Sequence, residues 1–168
     1  GKGHKIVGLG LILISINNFW AINPILKLFS GTSLSIDYEG NILPEVYPQA
    51  SRLLALRLMC GAVKQLPNWF PFSSSLQELN IAYTPLKNTK ILSSWFDNCP
   101  FLQDIHLQGL PISNLPENIG LLSKLELLSV SYCNQLRSLP ECLGMLHSLR
   151  LLKLESISLE KLPSSIGE

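Results

Sequence analysis

The sequence predicts a solenoid of the α/β class, because one unit recurs along the chain at a nearly fixed period. The unit opens on Leu-Pro at Leu115, returns at Leu139 and begins again at Leu162. Each copy carries Gly five residues after its first Leu, and leucine supplies 35 of the 168 residues. Self-similarity with a period between about 20 and 29 residues is typical of arrays whose units stack on one continuous apolar core.

A strand is predicted at the start of every unit. The starts lie 22 to 26 residues apart, at Leu9, Gly31, Leu53, Leu76, Leu102, Leu125 and Leu149. Three and five residues after each start comes an apolar residue, as at Leu128 and Val130. Positions that differ by two point to one face of a strand, so these pairs are expected to face inward. The sequence therefore predicts a leucine-rich-repeat horseshoe with a parallel β-sheet on its concave side.

Convex segments of 3-10 or short helical structure are predicted to follow the strands. The Pro of Leu-Pro fixes φ and lacks an N–H, so it stops the strand and sets a turn. Apolar residues three apart follow, and this period suits a 3-10 turn. The recurring Gly120, Gly144 and Gly167 are expected where the backbone is crowded or has positive φ. The unit from Leu76 lacks Leu-Pro, and its run at 91–96 predicts an α-helical turn or two instead.

The chain is predicted to divide near residue 30. Residues 31–168 are expected to form one leucine-rich-repeat domain of about six repeats, truncated at its C-terminal end, and residues 1–30 a degenerate first repeat or a disordered N-terminal segment. The apolar run at 6–16 fits the repeat register, a signal or anchor, or an ill-ordered tail. It is shorter than the ~20 apolar residues of a membrane span, so no span is expected.

Composition and charge exclude several classes of partner. Only 15% of residues are charged and the formal net charge is +1. No cluster of Lys or Arg is present, which argues against a nucleic-acid partner. The four cysteines lie far apart, and none of the eleven asparagines has Ser or Thr two residues later. Paired terminal cysteines and glycosylation acceptors are typical of extracellular repeat domains, so a reduced compartment and a cytoplasmic location are expected.

No catalytic, metal-binding or cofactor-binding residue is predicted, and the chain is not expected to be an enzyme. Cys142 and His147 would lie in a convex turn with no orienting acid beside them. Glu117 and Glu141 recur because the turn recurs, not as a catalytic pair. His106 is expected to be a surface histidine without neighbouring metal ligands.

The ninth position of the unit is where many repeat proteins place Asn, whose side chain bonds the backbone of the neighbouring turn. That position here is Asn17, Glu39, Gly61, Thr84, Leu110, Cys133 and Ile157. The Asn ladder is thus largely absent, and Thr84 and Cys133 are its nearest substitutes.

The repeated phrases resemble those of one known family. Residues 115–120, 139–144 and 162–167 read LPENIG, LPECLG and LPSSIG, and residues 133–140 follow C-x-x-L-x-x-L-P. They are similar to the repeats of plant intracellular nucleotide-binding leucine-rich-repeat (NLR-type) disease resistance proteins. The similarity is strong over 102–168, moderate over 53–101 and weak before residue 53. The family's nucleotide-binding domain is absent, because no G-x-x-x-x-G-K-[ST] follows Gly8.

The resemblance implies a protein-recognition module of a plant innate-immunity receptor. In that family the repeat domain senses pathogen effectors or guarded host proteins, and it restrains a nucleotide-binding switch. The implied partners are such an effector, a guarded host protein, or the receptor's own nucleotide-binding domain. The alternative is an intracellular scaffold of the Ras-group type, which also uses L-P-x-x-I-G turns and binds small GTPases or signalling proteins. Such arrays usually have a regular Asn position, which the units here lack, so the receptor is preferred.

The candidate partner-binding residues lie on the concave face. The middle outward column is predicted to be Leu13, Ser35, Arg57, Asn80, His106, Ser129 and Lys153. With the flanking column and the tyrosines of the eighth position, the predicted partner-binding set is Arg57, Tyr83, Asn80, His106, Gln108, Ser129, Tyr132, Lys153 and Glu155. Tyrosine is enriched at interface hot spots. A solvated strand face, with the tyrosines packed at its rim, is the alternative interpretation.

Overall fold

Eight strands form one sheet in the computed structural model of the chain, which describes residues 4–7, 10–14, 32–37, 53–61, 74–86 and 89–166. The strands are β1 (His4–Val7), β2 (Gly10–Ile14), β3 (Ser33–Asp37), β4 (Ala55–Met59), β5 (Glu78–Ala82), β6 (Asp104–Gln108), β7 (Leu127–Ser131) and β8 (Leu151–Glu155). They lie in chain order across the sheet. β1 pairs with β2 antiparallel, and the six pairings from β2 to β8 are parallel. The predicted parallel sheet is therefore confirmed.

One face of the sheet is the core, as the spacing of the apolar residues predicts. The residues three after the unit starts lie side by side on successive strands, as Leu34, Leu56, Leu79, Ile105, Leu128 and Leu152. The first five of them are at most 3% exposed. In β6 and β7 the burial alternates along the strand, so the intervening residues face the concave side.

The second strand is shifted by one residue from the predicted register. Ile12 pairs with Ser35, so it occupies the place in the middle column that the sequence had assigned to Leu13. Residues 11–14 are all apolar, and the register is poorly specified where a strand shows no alternation between apolar and polar side chains. The antiparallel β1 was not predicted, and the division near residue 30 stays a prediction.

The predicted helix in the unit from Leu76 is confirmed as α1 (Lys90–Asn98). Its residues Leu92, Trp95 and Phe96 are spaced so that they share one helical face, and each is at most 2% exposed. This unit therefore fills its convex side with a helix, where its neighbours use a tighter turn.

Two 3-10 helices, η1 (Glu117–Leu121) and η2 (Glu141–Met145), occupy the convex side of the following units. Each begins after a Pro in extended conformation, with φ of −61° at Pro116 and −67° at Pro140. The ring of Pro presets this φ and supplies no N–H, so the chain turns there without losing a hydrogen bond. The prediction of 3-10 segments after Leu-Pro is confirmed.

A row of hydrogen bonds joins successive convex segments, from the side chain two residues after each Pro to the backbone of the preceding unit. The bonds run from Asn118 Nδ2 to Ser93 O (2.7 Å), from Cys142 Sγ to Glu117 O (3.0 Å) and from Ser165 Oγ to Glu141 O (2.6 Å). Asn118 Nδ2 also donates to Asp97 Oδ1 at 2.8 Å, which ties η1 to α1.

The recurring glycines are explained by this close approach. A Cβ on Gly120 would lie 2.8 Å from Cys142 Cβ, and one on Gly144 would overlap Ser165 Cβ. Neither glycine has positive φ. Crowding is therefore the reason for glycine here, and Gly167 lies outside the described residues.

β8 is the last strand of the described sheet, and its inward residues are less buried than those of β7. Leu152 and Leu154 are partly exposed, whereas Leu128 and Val130 are 0% exposed. Each unit of such an array contacts only its neighbours, so a strand covered on one side alone keeps part of its core face open.

Candidate partner-binding face

Seven of the nine predicted partner-binding residues line one depression of about 360 Å³ on the concave face. They are Asn80, His106, Gln108, Ser129, Tyr132, Lys153 and Glu155, and Leu107 and Ser131 complete the lining. We call this depression the concave slot. The register places its residues in two rows that cross the strands: Asn80, His106, Ser129 and Lys153 in one, and Gln108, Ser131 and Glu155 in the other.

The slot exists because β7 carries small side chains between two strands that carry long ones. Ser129 and Ser131 of β7 form its floor. The walls are His106 and Gln108 of β6 on one side and Lys153 and Glu155 of β8 on the other. Because neighbouring strands lie about 4.8 Å apart, two walls separated by one strand leave room for a single extended chain or side chain between them.

Two side chains of opposite charge stand in the β8 wall. Lys153 lies in the row of His106 and Ser129, and Glu155 lies two residues further along the strand. Both are exposed. Within the described part of the chain neither side chain forms an ion pair or a hydrogen bond with another residue. The two charges are therefore free to meet those of a partner.

A row of residues with left-handed backbone borders the face where the strands end. Tyr83, Gly109, Tyr132 and Ser156 follow β5, β6, β7 and β8, with φ between 49° and 64°. The backbone N–H of Tyr83 donates to Gln108 O at 2.8 Å, and that of Tyr132 donates to Glu155 O at 3.0 Å. Left-handed backbone is inexpensive only for Gly, so these bonds offset part of the strain at the two tyrosines.

Tyr83 and Arg57 flank the slot and do not line it. The Tyr83 ring covers Gly109, where an added Cβ would overlap it, and Gln108 Nε2 donates to Tyr83 Oη at 3.0 Å. Arg57 lies on β4, beside Asn80 in the register. The tyrosine remains 47% exposed. The nine predicted residues therefore divide into seven at the slot and two beside it.

Comparison with known proteins agrees with this architecture. No family model matches the chain, and no curated protein matches it. Among solved structures, the chain is similar to a leucine-rich-repeat protein of Leptospira interrogans, with 26% sequence identity and a TM-score of 0.57. The chain is a leucine-rich-repeat domain. The match covers 80% of this domain, which spans 37% of the length of the Leptospira chain. A protein-interaction repeat module is the function that this fold supports.

In the leucine-rich-repeat domain, Thr84 and Cys133 take the place of the Asn ladder, as predicted. Thr84 is 2% exposed. Its Oγ1 accepts the backbone N–H of Cys60 at 3.2 Å and donates to Ala82 O at 3.1 Å. Cys133 is fully buried, and its Sγ lies 3.5 Å from Ser131 O. Burial raises the pKa of the Cys133 thiol, which keeps its proton for this contact.

The remaining groups in the described part of the chain offer no alternative site. None of the four cysteines, Cys60, Cys99, Cys133 and Cys142, forms a disulfide bond, and burial raises the pKa of Cys99 to about 12. A reactive cysteine needs a lowered pKa, so Cys99 is inert at neutral pH. No group of three or more His, Cys, Asp or Glu in the described ranges is placed to hold a metal ion. No described helix is long and apolar enough to cross a membrane.

Ser131 belongs to the slot floor. The sequence places it in the flanking outward column, two residues from Ser129, although it is not among the nine predicted partner-binding residues. The left-handed row was missed at the sequence level, although Gly109 stands at the same position of its unit as Tyr83 and Tyr132.

Proposed function

We propose that the domain is the protein-recognition module of a plant innate-immunity receptor. It senses a pathogen effector or a guarded host protein in the cytoplasm and restrains a nucleotide-binding switch, without catalysis or a cofactor. The observation that supports recognition is the concave slot, in which polar side chains from four strands surround a serine floor and in which Lys153 and Glu155 form no ion pair with any described residue. The phrase C-x-x-L-x-x-L-P, with Cys133 buried at the ladder position, supports the receptor family.

The physical basis of the proposal is preorganisation. Every strand around the slot is held by parallel pairing to both neighbours, except β8 at the edge of the described sheet. A partner therefore meets side chains whose backbone is already fixed, and binding loses less conformational entropy than it would on a mobile loop. The unpaired charges add selectivity, because a partner of the wrong charge leaves them desolvated.

The first test is the reading frame that precedes Gly1 in the gene. An immune receptor requires G-x-x-x-x-G-K-[ST] in a nucleotide-binding domain within that frame. That domain, expressed as a separate polypeptide, is then the probe for binding to the 168-residue chain. We expect the double variant His106→Glu/Lys153→Glu to weaken binding about tenfold or more, equivalent to about 1.4 kcal/mol.

The matched control is Lys124→Glu, which repeats the Lys-to-Glu charge reversal of Lys153→Glu at an exposed residue that does not line the slot. It should bind like the wild type. If the double variant also binds like the wild type, the concave face is not the recognition surface. A frame without the phosphate-loop motif would remove the receptor assignment.

The scaffold remains the second candidate because the L-P-x-x-I-G turn at η1 returns as L-P-x-x-L-G at η2, each with its 3-10 helix. Its probe is a small GTPase, loaded in turn with GTP and with GDP. Binding that depends on GTP, together with the absence of a phosphate-loop motif upstream, would favour the scaffold over the receptor.

A further inference from the structure

We infer that the concave slot takes an extended segment of its partner in which an acidic and a basic residue are two positions apart. The inference rests on the proposed recognition role and specifies the chemistry of what is recognised. It follows from the spacing of the two rows, from the groups in each row and from the fact that Lys153 and Glu155 form no ion pair with any described residue.

The spacing of the rows matches the repeat of an extended peptide. Lys153 and Glu155 are two residues apart on β8, and Ser129 and Ser131 are two residues apart on the floor. Residues two apart on a strand are separated by about 6.6–6.8 Å and share a face. An extended segment lying along β7 has the same repeat, so its alternate side chains meet one row each.

The first row is suited to a carboxylate. The Lys153 ammonium carries three donors, and Asn80 and Ser129 add neutral donors in the same row. His106 stands opposite Lys153 across the Ser129 floor, and it donates from at least one ring nitrogen in either protonation state. An Asp or Glu of the partner would thus be surrounded by donors.

The second row is suited to a cation. The Glu155 carboxylate accepts from Arg or Lys, and Gln108 and Ser131 add acceptors beside it. Tyr132, 44% exposed, lines the slot just after the end of β7 and can offer its ring face to a guanidinium or ammonium group. A basic residue of the partner would therefore gain an ion pair and an aromatic contact.

Lys153 and Glu155 form no ion pair within the described residues. A purely acidic segment would bring like charge against Glu155, and a purely basic one against Lys153. An apolar segment would remove water from both charges and would supply no ion pair or hydrogen bond to replace that hydration. The opposite-charge pair at a spacing of two satisfies both rows at once.

Selection from a phage-displayed library of random 12-residue peptides tests the inference on the full chain and its variants. The wild type should enrich Asp or Glu and Lys or Arg two positions apart, by about tenfold over the unselected library. Lys153→Glu should enrich two basic residues at that spacing, and Glu155→Lys two acidic ones. The control Lys124→Glu, away from the slot, should enrich the wild-type pattern. A urea melt of each variant confirms that it is folded.

The variant Ser129→Trp separates failure of the inference from failure of the proposed recognition face, because it fills the slot without changing a charge. Selected peptides that lose binding to Ser129→Trp but ignore both charge changes would leave the concave face standing and overturn the inference. Peptides that bind Ser129→Trp like the wild type would overturn both. A library that enriches no peptide, or the same sequences on every variant, would also overturn the inference.

Discussion

Replacing Leu128 with Ala measures how much one inward position contributes to the array. Leu128 is 0% exposed and lies between Ile105 and Leu152 in the sheet register. The change removes three carbon atoms, each worth about 0.8 kcal/mol of burial, or about 2.4 kcal/mol in all. The flanking strands are hydrogen-bonded to β7 and cannot close the gap, so a cavity term adds to this loss. We expect a destabilisation of about 2–5 kcal/mol.

The assay is urea unfolding followed by circular dichroism, and Leu151→Ala is the matched control. Leu151 undergoes the same chemical change on the adjacent strand, but it faces outward and is 49% exposed. The free energy of unfolding of Leu151→Ala should stay within about 0.5 kcal/mol of the wild-type value. Leu152→Ala should fall between the two, because that side chain is only partly buried. A loss below about 0.5 kcal/mol for Leu128→Ala, or one equal to that of Leu151→Ala, would refute the register.

Three further predictions each concern a single residue. Gly109→Ala should cost about 1–3 kcal/mol in urea melts, because φ is +64° and the new Cβ overlaps the Tyr83 ring; the cost should shrink, but not vanish, in a Tyr83→Ala background. Thr84→Val should cost about 1–3 kcal/mol, because it removes the hydroxyl that accepts the Cys60 N–H. Burial raises the pKa of Cys99 from 9.0 to about 12. The folded state therefore keeps the proton longer than the unfolded state, and stability should fall by up to about 1.4 kcal/mol per pH unit as the pH rises from about 9 towards 12.

Each of these predictions has an outcome that contradicts it. Equal costs of Gly109→Ala with and without the tyrosine would mean that the ring does not press on that position. A neutral Thr84→Val would mean that the hydroxyl is not needed at the ladder. For the thiol, urea melts of Cys99→Ala between pH 8 and about 10.5 should show a shallower loss than the wild type; parallel curves would contradict the burial argument.

The strands could be predicted from the sequence wherever apolar and polar residues alternate. In β6 the residues at the third and fifth positions after the unit start are apolar and their neighbours polar, and in β7 Leu128 and Val130 alternate with Ser129 and Ser131, so only one register buries the right face. Residues 11–14 are apolar throughout, and there the sequence predicted a register that was wrong by one. The alternation of apolar and polar residues therefore fixes the register of a strand, and a strand without alternation leaves its register open.

From the sequence we could predict which face of the sheet carries the site, but not the slot within that face. The outward column followed from the register, but the slot depends on side-chain size across three strands, with Ser129 between His106 and Lys153. These residues lie about one unit apart in the sequence, and no pattern within a single unit relates the sizes of their side chains. The Tyr83 ring lies over Gly109, one unit further along the chain, and its role in partner binding stays a prediction. Such inter-unit contacts became visible only once the strands were aligned.

The close approach of Gly120 to Cys142 and of Gly144 to Ser165 has a consequence for how the array grows by gene duplication. A duplicated segment is tolerated when the first residues of the new copy pack without overlap against the unit that precedes the copy. Copying residues 141–163 would set a second Cys142 against Gly144, a substitution of one small side chain for another. Copying residues 117–140 would instead force the larger Asn118 against Gly120 and leave its bonds to α1 unmade. Unequal crossing-over can therefore lengthen this array at the unit that follows η2 more readily than at the unit beside the helix.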